Sequence, residues 1–323
     1  MQENKQTMLN KLLNSIFLFL IALDTSSQNG KIISQTPYTI TDSSIVQLEK
    51  NIPNLRAIIT TVDFFSITYL SDGLKVNGYL SVPKKSGKYP SVIFNRGGNR
   101  ELGAITDNYL IRYLGQIASW GYVAVASQYR GNMGSEGKEE FGGKEVNDII
   151  NLLPLLSTVN KADTSRIGMW GHSRGGMMTY LSLTKTCRIK AAIVSSGIAD
   201  GFMNTSKRPD MDSVFAELAL GYTQNRDSVL RSRSAVYFAD KICSTTPLLL
   251  FTGSADWRVS PDEQLEMVHK LYELKHPLRF VFFEGGQHSL IEHYDEVNHI
   301  AKNFFDTYVR DKKMYPSLEP HGK

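Results

Sequence analysis

The sequence predicts an α/β fold: a mostly parallel, doubly wound sheet led by an antiparallel hairpin and carrying a small helical cap insertion. Three observations predict it. From residue 89 to the C-terminal region, apolar runs of strand length alternate with amphipathic stretches of helical spacing, the pattern of a parallel sheet covered on both faces. Upstream, "FFSITYLSDGLKVNGYLSVPKK" folds back at Asp72-Gly73, a dipeptide suited to a tight hairpin turn. The alternation breaks over residues 198–243, a segment longer than a connection needs and rich in Met, Asp, Ser and Arg. That segment is expected to form a helical cap over one end of the sheet.

Taken in order, residues 1–27 stand apart. Scattered lysines precede an apolar run from Leu12 to Leu23, followed by small polar residues. The run is short for a membrane span and matches the apolar core of a signal peptide. Met8 can serve as the start, with cleavage expected near Ser27-Gln28; left uncleaved, the segment is an N-terminal membrane anchor. Either way residues 28–323 form one catalytic domain, expected in the periplasm or outside the cell. Residues 28–60 read as irregular apart from a short helix in "SSIVQLEKN". After the hairpin come strand "YPSVIFNRGG", helix "NYLIRYLGQIASWG" closed by Gly121, and strand "YVAVASQYRG". "KEVNDIINLLPLLSTV" has helical spacing with a kink expected at Pro154. Strand "RIGMWGHS", helix "GGMMTYLSLTKT" and strand "RIKAAIVSSG" lead into the cap. Strand "TPLLLFTGS", helix "SPDEQLEMVHKLYELK", strand "RFVFFEGG" and helix "LIEHYDEVNHIAKNFFDTYV" complete the domain, before a basic tail "KKMYPSLEPHGK" expected to fray.

With 323 residues, 41% hydrophobic and 21% charged, the chain can bury a large core, and its net charge of +4 is spread thinly. The basic pairs Lys84-Lys85 and Arg231/Arg233 read as solvated loops, and no basic stripe interleaved with aromatics suggests nucleic acid. Cys187 and Cys243 each precede an apolar run read as neighbouring strands, so a bridge and two free thiols both stand open. No H-E-x-x-H or comparable ligand set occurs. His293 and His299 are spaced unsuitably for one metal face and read as structural; neither metal nor organic cofactor is expected.

The chemistry is carried by "RIGMWGHSRGGMM". Ser173 lies between glycines at a strand-to-helix junction, where a serine at positive φ needs small neighbours. A serine hydroxyl needs a base oriented by an acid. Asp256 follows the apolar run "LLLFTGS" and His288 follows "FVFFEGG", so both fall at the sheet edge that holds Ser173. His172, beside Ser173, should point elsewhere, and Asp200 is the competing acid. Donors for an oxyanion are expected from the backbone N–H of Arg174 and from the Gly97-Gly98 loop, with Gly98 preferred.

These segments resemble the catalytic domain of the prolyl oligopeptidase family of serine peptidases, within the α/β-hydrolase fold. The resemblance runs from "ITYLSDGLKVNGYLSVP" to the end and is carried by "YRGNMGSEG", "GHSRGG", "RSAVYFADKICSTTPLLLFTGSADWRVSP" and "GGQH". It implies Ser173 as nucleophile, Asp256 as acid and His288 as base, with Gly98 matching the second glycine of the family's H-G-G-P segment. Here that segment is Arg96-Gly97-Gly98-Asn99. The β-propeller of full-length oligopeptidases is not expected in this chain, so the family's peptide specificity does not carry over.

The expectation is a serine hydrolase that cleaves small peptides or amides through an acyl-enzyme. The alternatives are a carboxylesterase acting on small esters, or a non-catalytic hydrolase-fold binding protein, which would have no need to retain all three groups. Membrane contact is expected only through an uncleaved N-terminal segment. Arg130 and Glu136 are expected to pair within their loop or to meet substrate, the structural role being favoured. "NTS" at Asn204 fits a glycosylation sequon.

Overall fold

Asp72 and Gly73 both adopt positive φ, 51° and 81°, the backbone that a two-residue hairpin turn demands. They join β2 (Val62–Ser71) to β3 (Leu74–Pro83), which pair antiparallel in unbroken register from Val62 opposite Pro83 to Ser71 opposite Leu74. The computed structural model describes residues 28–52 and 54–322; the expected signal or anchor segment, residues 1–27, lies outside them. A further strand, β1 (Ile32–Pro37), adds antiparallel to β2. The N-terminal stretch is therefore more regular than its sequence implies: it holds β1, α1 (Asp42–Leu48) and α2 (Leu55–Thr61). β1 is missed because most of its residues are exposed, so it lacks the apolar alternation that marks a half-buried strand.

The remaining strands are β4 (Tyr89–Asn95), β5 (Val123–Ser127), β6 (Ala162–His172), β7 (Ile189–Ser195), β8 (Leu248–Gly253) and β9 (Leu278–Phe283). They form one sheet in the order β1-β2-β3-β5-β4-β6-β7-β8-β9. β3 meets β5 antiparallel, and every pairing from β5 through β9 is parallel. This order and the parallel run match the α/β-hydrolase arrangement that the sequence predicts. The central strands read as unbroken apolar runs because both faces are covered. Ile93, Val125 and Met169 enter one core while Val92, Ala124 and Trp170 enter the other.

On one face lie α1, α2, α3 (residues 107–119) and α11 (Tyr294–Phe305). On the other lie α4 (Val146–Ile150), α5 (Leu152–Leu156), α6 (Arg174–Leu183) and α10 (Pro261–Glu273). Gly121 closes the turn after α3 at φ 90°. The helix interruption expected at Pro154 falls at Asn151, between α4 and α5, because the proline disturbs the turn before it. The cap consists of α7 (Gly201–Lys207), α8 (Asp210–Leu218), α9 (Arg226–Arg231) and two short 3-10 turns.

Three further expectations are corrected. Arg233 is buried, donating to the carbonyls of Phe141 and Glu140, so only its neighbour Arg231 belongs to a solvated face. Arg130 has the favoured structural role but with other partners: it is buried against Asp148 and Asp72 and not paired with Glu136, which accepts from the Lys75 N–H. The tail is anchored: the Tyr315 hydroxyl donates to the Leu278 carbonyl beside edge strand β9, and Glu319 pairs with Lys275. Asn204 is buried in α7 and donates to Glu263, a poor position for a glycan. Cys187 and Cys243 form a disulfide with Cα atoms 5.5 Å apart, settling the open choice. They precede adjacent parallel strands β7 and β8, which brings their backbones within bridging range.

Candidate active site

β6 ends in His172, and the chain turns at once into α6 through Ser173, whose backbone sits at φ 58° and ψ −126°. That conformation is costly for a residue with a side chain and is held by its surroundings. The Ser173 N–H donates to the Ser195 carbonyl at 2.9 Å, and the Gly176 N–H donates to the Ser173 carbonyl at 2.8 Å. The flanking glycines are steric requirements. A Cβ on Gly171 would lie 2.1 Å from the Gly175 carbonyl oxygen, and one on Gly175 would lie 1.9 Å from that of Asn95.

The loops after β8 and β9 are laced together. Ser254 N–H donates to the Phe283 carbonyl, Ala255 N–H to the Gly286 carbonyl, and Gly285 N–H to the Ser254 hydroxyl. This lacing aligns Asp256 with His288. His288 Nδ1 lies 2.8 Å from Asp256 Oδ2, and its Nε2 lies 2.9 Å from Ser173 Oγ. Asp256 Oδ1 accepts from the N–H groups of Arg258 and Val259 at 2.8 and 3.0 Å. The cap of α10 is Ser260, not Asp256. Burial works to raise the Asp256 carboxyl pKa, but the His288 contact and these two amides outweigh it and hold it below the ordinary value. A carboxylate only accepts, so His288 Nδ1 carries the proton and Nε2 is free to accept from the Ser173 hydroxyl.

The other sequence candidates fall outside this chain of contacts. Asp200 caps α7, accepting from the Phe202 N–H. His293 bonds to the Glu284 carbonyl, and His299 to Asn303. His172 is buried with its ring 5.0 Å from that of His288. Burial first, and then His288, push its pKa down to about 3. The unfolded chain therefore binds more protons than the fold between the ordinary value of 6.5 and about 3, so stability falls as pH drops through that window. In His172→Gln, Tm measured by calorimetry is expected to decline less steeply across that window than in the wild type; parallel profiles would reject the assignment.

Gly97 abuts Ser173, since a Cβ there would lie 2.9 Å from the serine Cβ. Gly98, at φ 70°, is the next residue along the same wall. Neither the Gly98 N–H nor the Arg174 N–H donates to an acceptor among the described residues. The Arg174 guanidinium is buried, paired with Glu139 and with Glu145, and donates to the Gly98 carbonyl at 2.9 Å. Sequence reasoning missed this side-chain role, because Glu139 and Glu145 lie in a loop with no motif of its own.

Ser173 opens on a cleft of about 380 Å³ whose walls include Phe141 and, from the cap, Met211 and Arg208. Trp257, 68% exposed, stands at its mouth with the Arg208 and Arg258 guanidinium groups 5.4 and 5.1 Å from its ring centre. Among the described residues, no Asp or Glu side chain lines the cleft. Trp257 and Arg258 stand in "DWRVSP", but no pattern in the sequence marks Arg208 as their spatial neighbour.

Residues 111–312 match the sequence pattern of the prolyl oligopeptidase family. The uncharacterized peptidase YtmA of Bacillus subtilis (strain 168) is 30% identical over 228 residues, covering 70% of this chain and 86% of that protein. A solved acylaminoacyl peptidase, in complex with Z-Gly-Gly-Phe-chloromethyl ketone, superposes with a TM-score of 0.68 at 25% identity, over 80% of this chain and 43% of that one. The acylaminoacyl peptidase of Pyrococcus horikoshii shares the fold, with a TM-score of 0.69 at 23% identity over 87% of this chain and 46% of its own. This chain thus corresponds to under half the length of those two enzymes, and the pattern match extends over well over half of this one. The chain belongs to the prolyl oligopeptidase family of serine-type peptidases.

Proposed function

We propose that this protein hydrolyses small peptides or amides through an acyl-enzyme on Ser173. The observation that carries the reading is the unbroken contact chain from Ser173 Oγ through His288 to Asp256, built on a serine at φ 58°. His288 Nε2 takes the hydroxyl proton as Oγ attacks the substrate carbonyl. The tetrahedral oxyanion is met by the N–H groups of Gly98 and Arg174, the latter opening α6, whose N-terminal dipole favours negative charge. The imidazolium then protonates the leaving amine, and a water deprotonated by His288 releases the acid. Asp256 holds the ring in the required tautomer and stabilises its charged form.

Among the described residues that line the cleft, Arg208 and Arg258 carry charge and no carboxylate does. Asp210, next to the cleft, is taken up in an ion pair with Arg208, so a free α-ammonium group finds no unpaired counter-ion among the lining residues. This favours substrates with a blocked or anionic acyl end, in keeping with the acylaminoacyl peptidases among the structural relatives. The disulfide favours export to an oxidising compartment, which accords with the signal-like character of residues 1–27. A fluorophosphonate probe is expected to label the wild type and not Ser173→Ala; an unlabelled wild type would reject the mechanism. On a panel of aminoacyl p-nitroanilides, N-acetylated members are expected to be cleaved faster than free-amine members. Activity confined to esters would replace the peptidase reading with the esterase one.

A further inference from the structure

Arg96 opens the segment Arg96-Gly97-Gly98-Asn99, and its environment is unusual. Its side chain is fully buried, 0% exposed, yet no carboxylate pairs with it among the described residues. All its recorded hydrogen bonds go to backbone carbonyls. Nε and Nη2 donate to Gln128 O at 3.1 and 2.9 Å, Nη2 also to Arg100 O at 3.1 Å, and Nη1 to Gly97 O at 3.1 Å. The guanidinium lies 5.0 Å from the centre of the Tyr129 ring. A buried cation without a counter-ion is expensive; burial and the neighbouring Arg174 push its pKa down to about 10, leaving it charged near neutral pH.

The Gly97 carbonyl belongs to the same peptide group as the Gly98 N–H. A cation donating to one end of a peptide group draws electron density from the other and strengthens its N–H as a donor. The next peptide group is held the same way, because Gly98 O accepts from Arg174 Nη1 at 2.9 Å. We infer that Arg96 is a positioning residue for catalysis: its buried charge fixes and polarises the Gly97–Gly98 peptide group so that the Gly98 N–H binds the developing oxyanion more strongly than the ground-state carbonyl. The inference rests on the proposed triad and on Gly98 as an oxyanion donor. Arg96 touches no substrate; it acts through one peptide group, which a neutral side chain of similar reach would hold without polarising.

The test compares Arg96→Gln and Arg96→Lys with the wild type. Two rates are read: steady-state hydrolysis of p-nitrophenyl acetate, and phosphonylation by a fluorophosphonate, whose phosphoryl oxygen occupies the oxyanion position. Tm is measured for each variant. Arg96→Gln is expected to lower kcat and the phosphonylation rate together by about tenfold, with KM within about twofold of wild type. Arg96→Lys keeps the charge but loses the fork, and is expected to lose only about threefold in each rate. Should Arg96→Gln fail to fold, the parallel loss in Arg96→Lys at unchanged KM carries the test. Wild-type rates in either folded variant, equal losses in both, or a rise in KM at constant kcat would overturn the inference. Failure of the wild type to be phosphonylated would instead remove the triad reading on which it stands.

Discussion

Asp256→Asn is expected to lower kcat by on the order of 10⁴-fold while leaving KM and Tm near their wild-type values. The size of the effect follows from which atoms are already committed. Asp256 Oδ1 accepts from the N–H groups of both Arg258 and Val259. An asparagine must therefore turn its carbonyl oxygen to those two donors, which leaves its NH2 facing His288 Nδ1. Nδ1 must then accept, so the ring proton moves to Nε2, the atom 2.9 Å from Ser173 Oγ. A protonated Nε2 cannot take the serine proton, although the geometry hardly changes. Steady-state kinetics with the best substrate of the panel, together with thermal unfolding, give the measurement. A kcat within about tenfold of wild type would show that Asp256 does not set the tautomer.

Reduction of the disulfide, or Cys187→Ala with Cys243→Ala, is expected to destabilise the protein by about 4 kcal/mol, from the chain entropy of a loop of this length. For a domain of this size that corresponds to a fall in Tm of roughly 5–10 °C. The bridge ties the loop before β7 to the segment that follows the cap helices, so it encloses β7 and the whole cap insertion. Calorimetry with and without a reductant measures the loss, and a thiol assay should find no free cysteine before reduction and both after it. Coincident unfolding curves would mean that the link adds nothing to stability.

Much of the fold was legible because local chemistry and tertiary need coincide in it. Asp72-Gly73 marks the hairpin because few other residues tolerate two consecutive positive φ values. β4 to β8 have apolar runs because they are buried on both faces, while edge strand β9 is only partly covered, and the helices between them keep a period that matches one covered side. β1 was not legible, since an exposed edge strand is held by the hydrogen-bonding edge of β2 and needs no apolar pattern. The buried state of Arg233 and the anchoring of Tyr315 were hidden for a related reason: each depends on backbone carbonyls supplied from distant parts of the chain.

The sequence by itself determined the α/β-hydrolase order of elements and the candidates Ser173, Asp256 and His288. Their types and their places at strand ends follow from the one edge where a parallel sheet can present loops together. Only the tertiary structure decided that the two late loops are laced to each other, that the cysteines join, and that Asp200 turns to cap a helix. It alone also set Arg96 and Arg174 on successive carbonyls of the glycine loop. Contacts of that kind depend on angles and distances between segments far apart in the chain, and residue type and spacing carry no record of them.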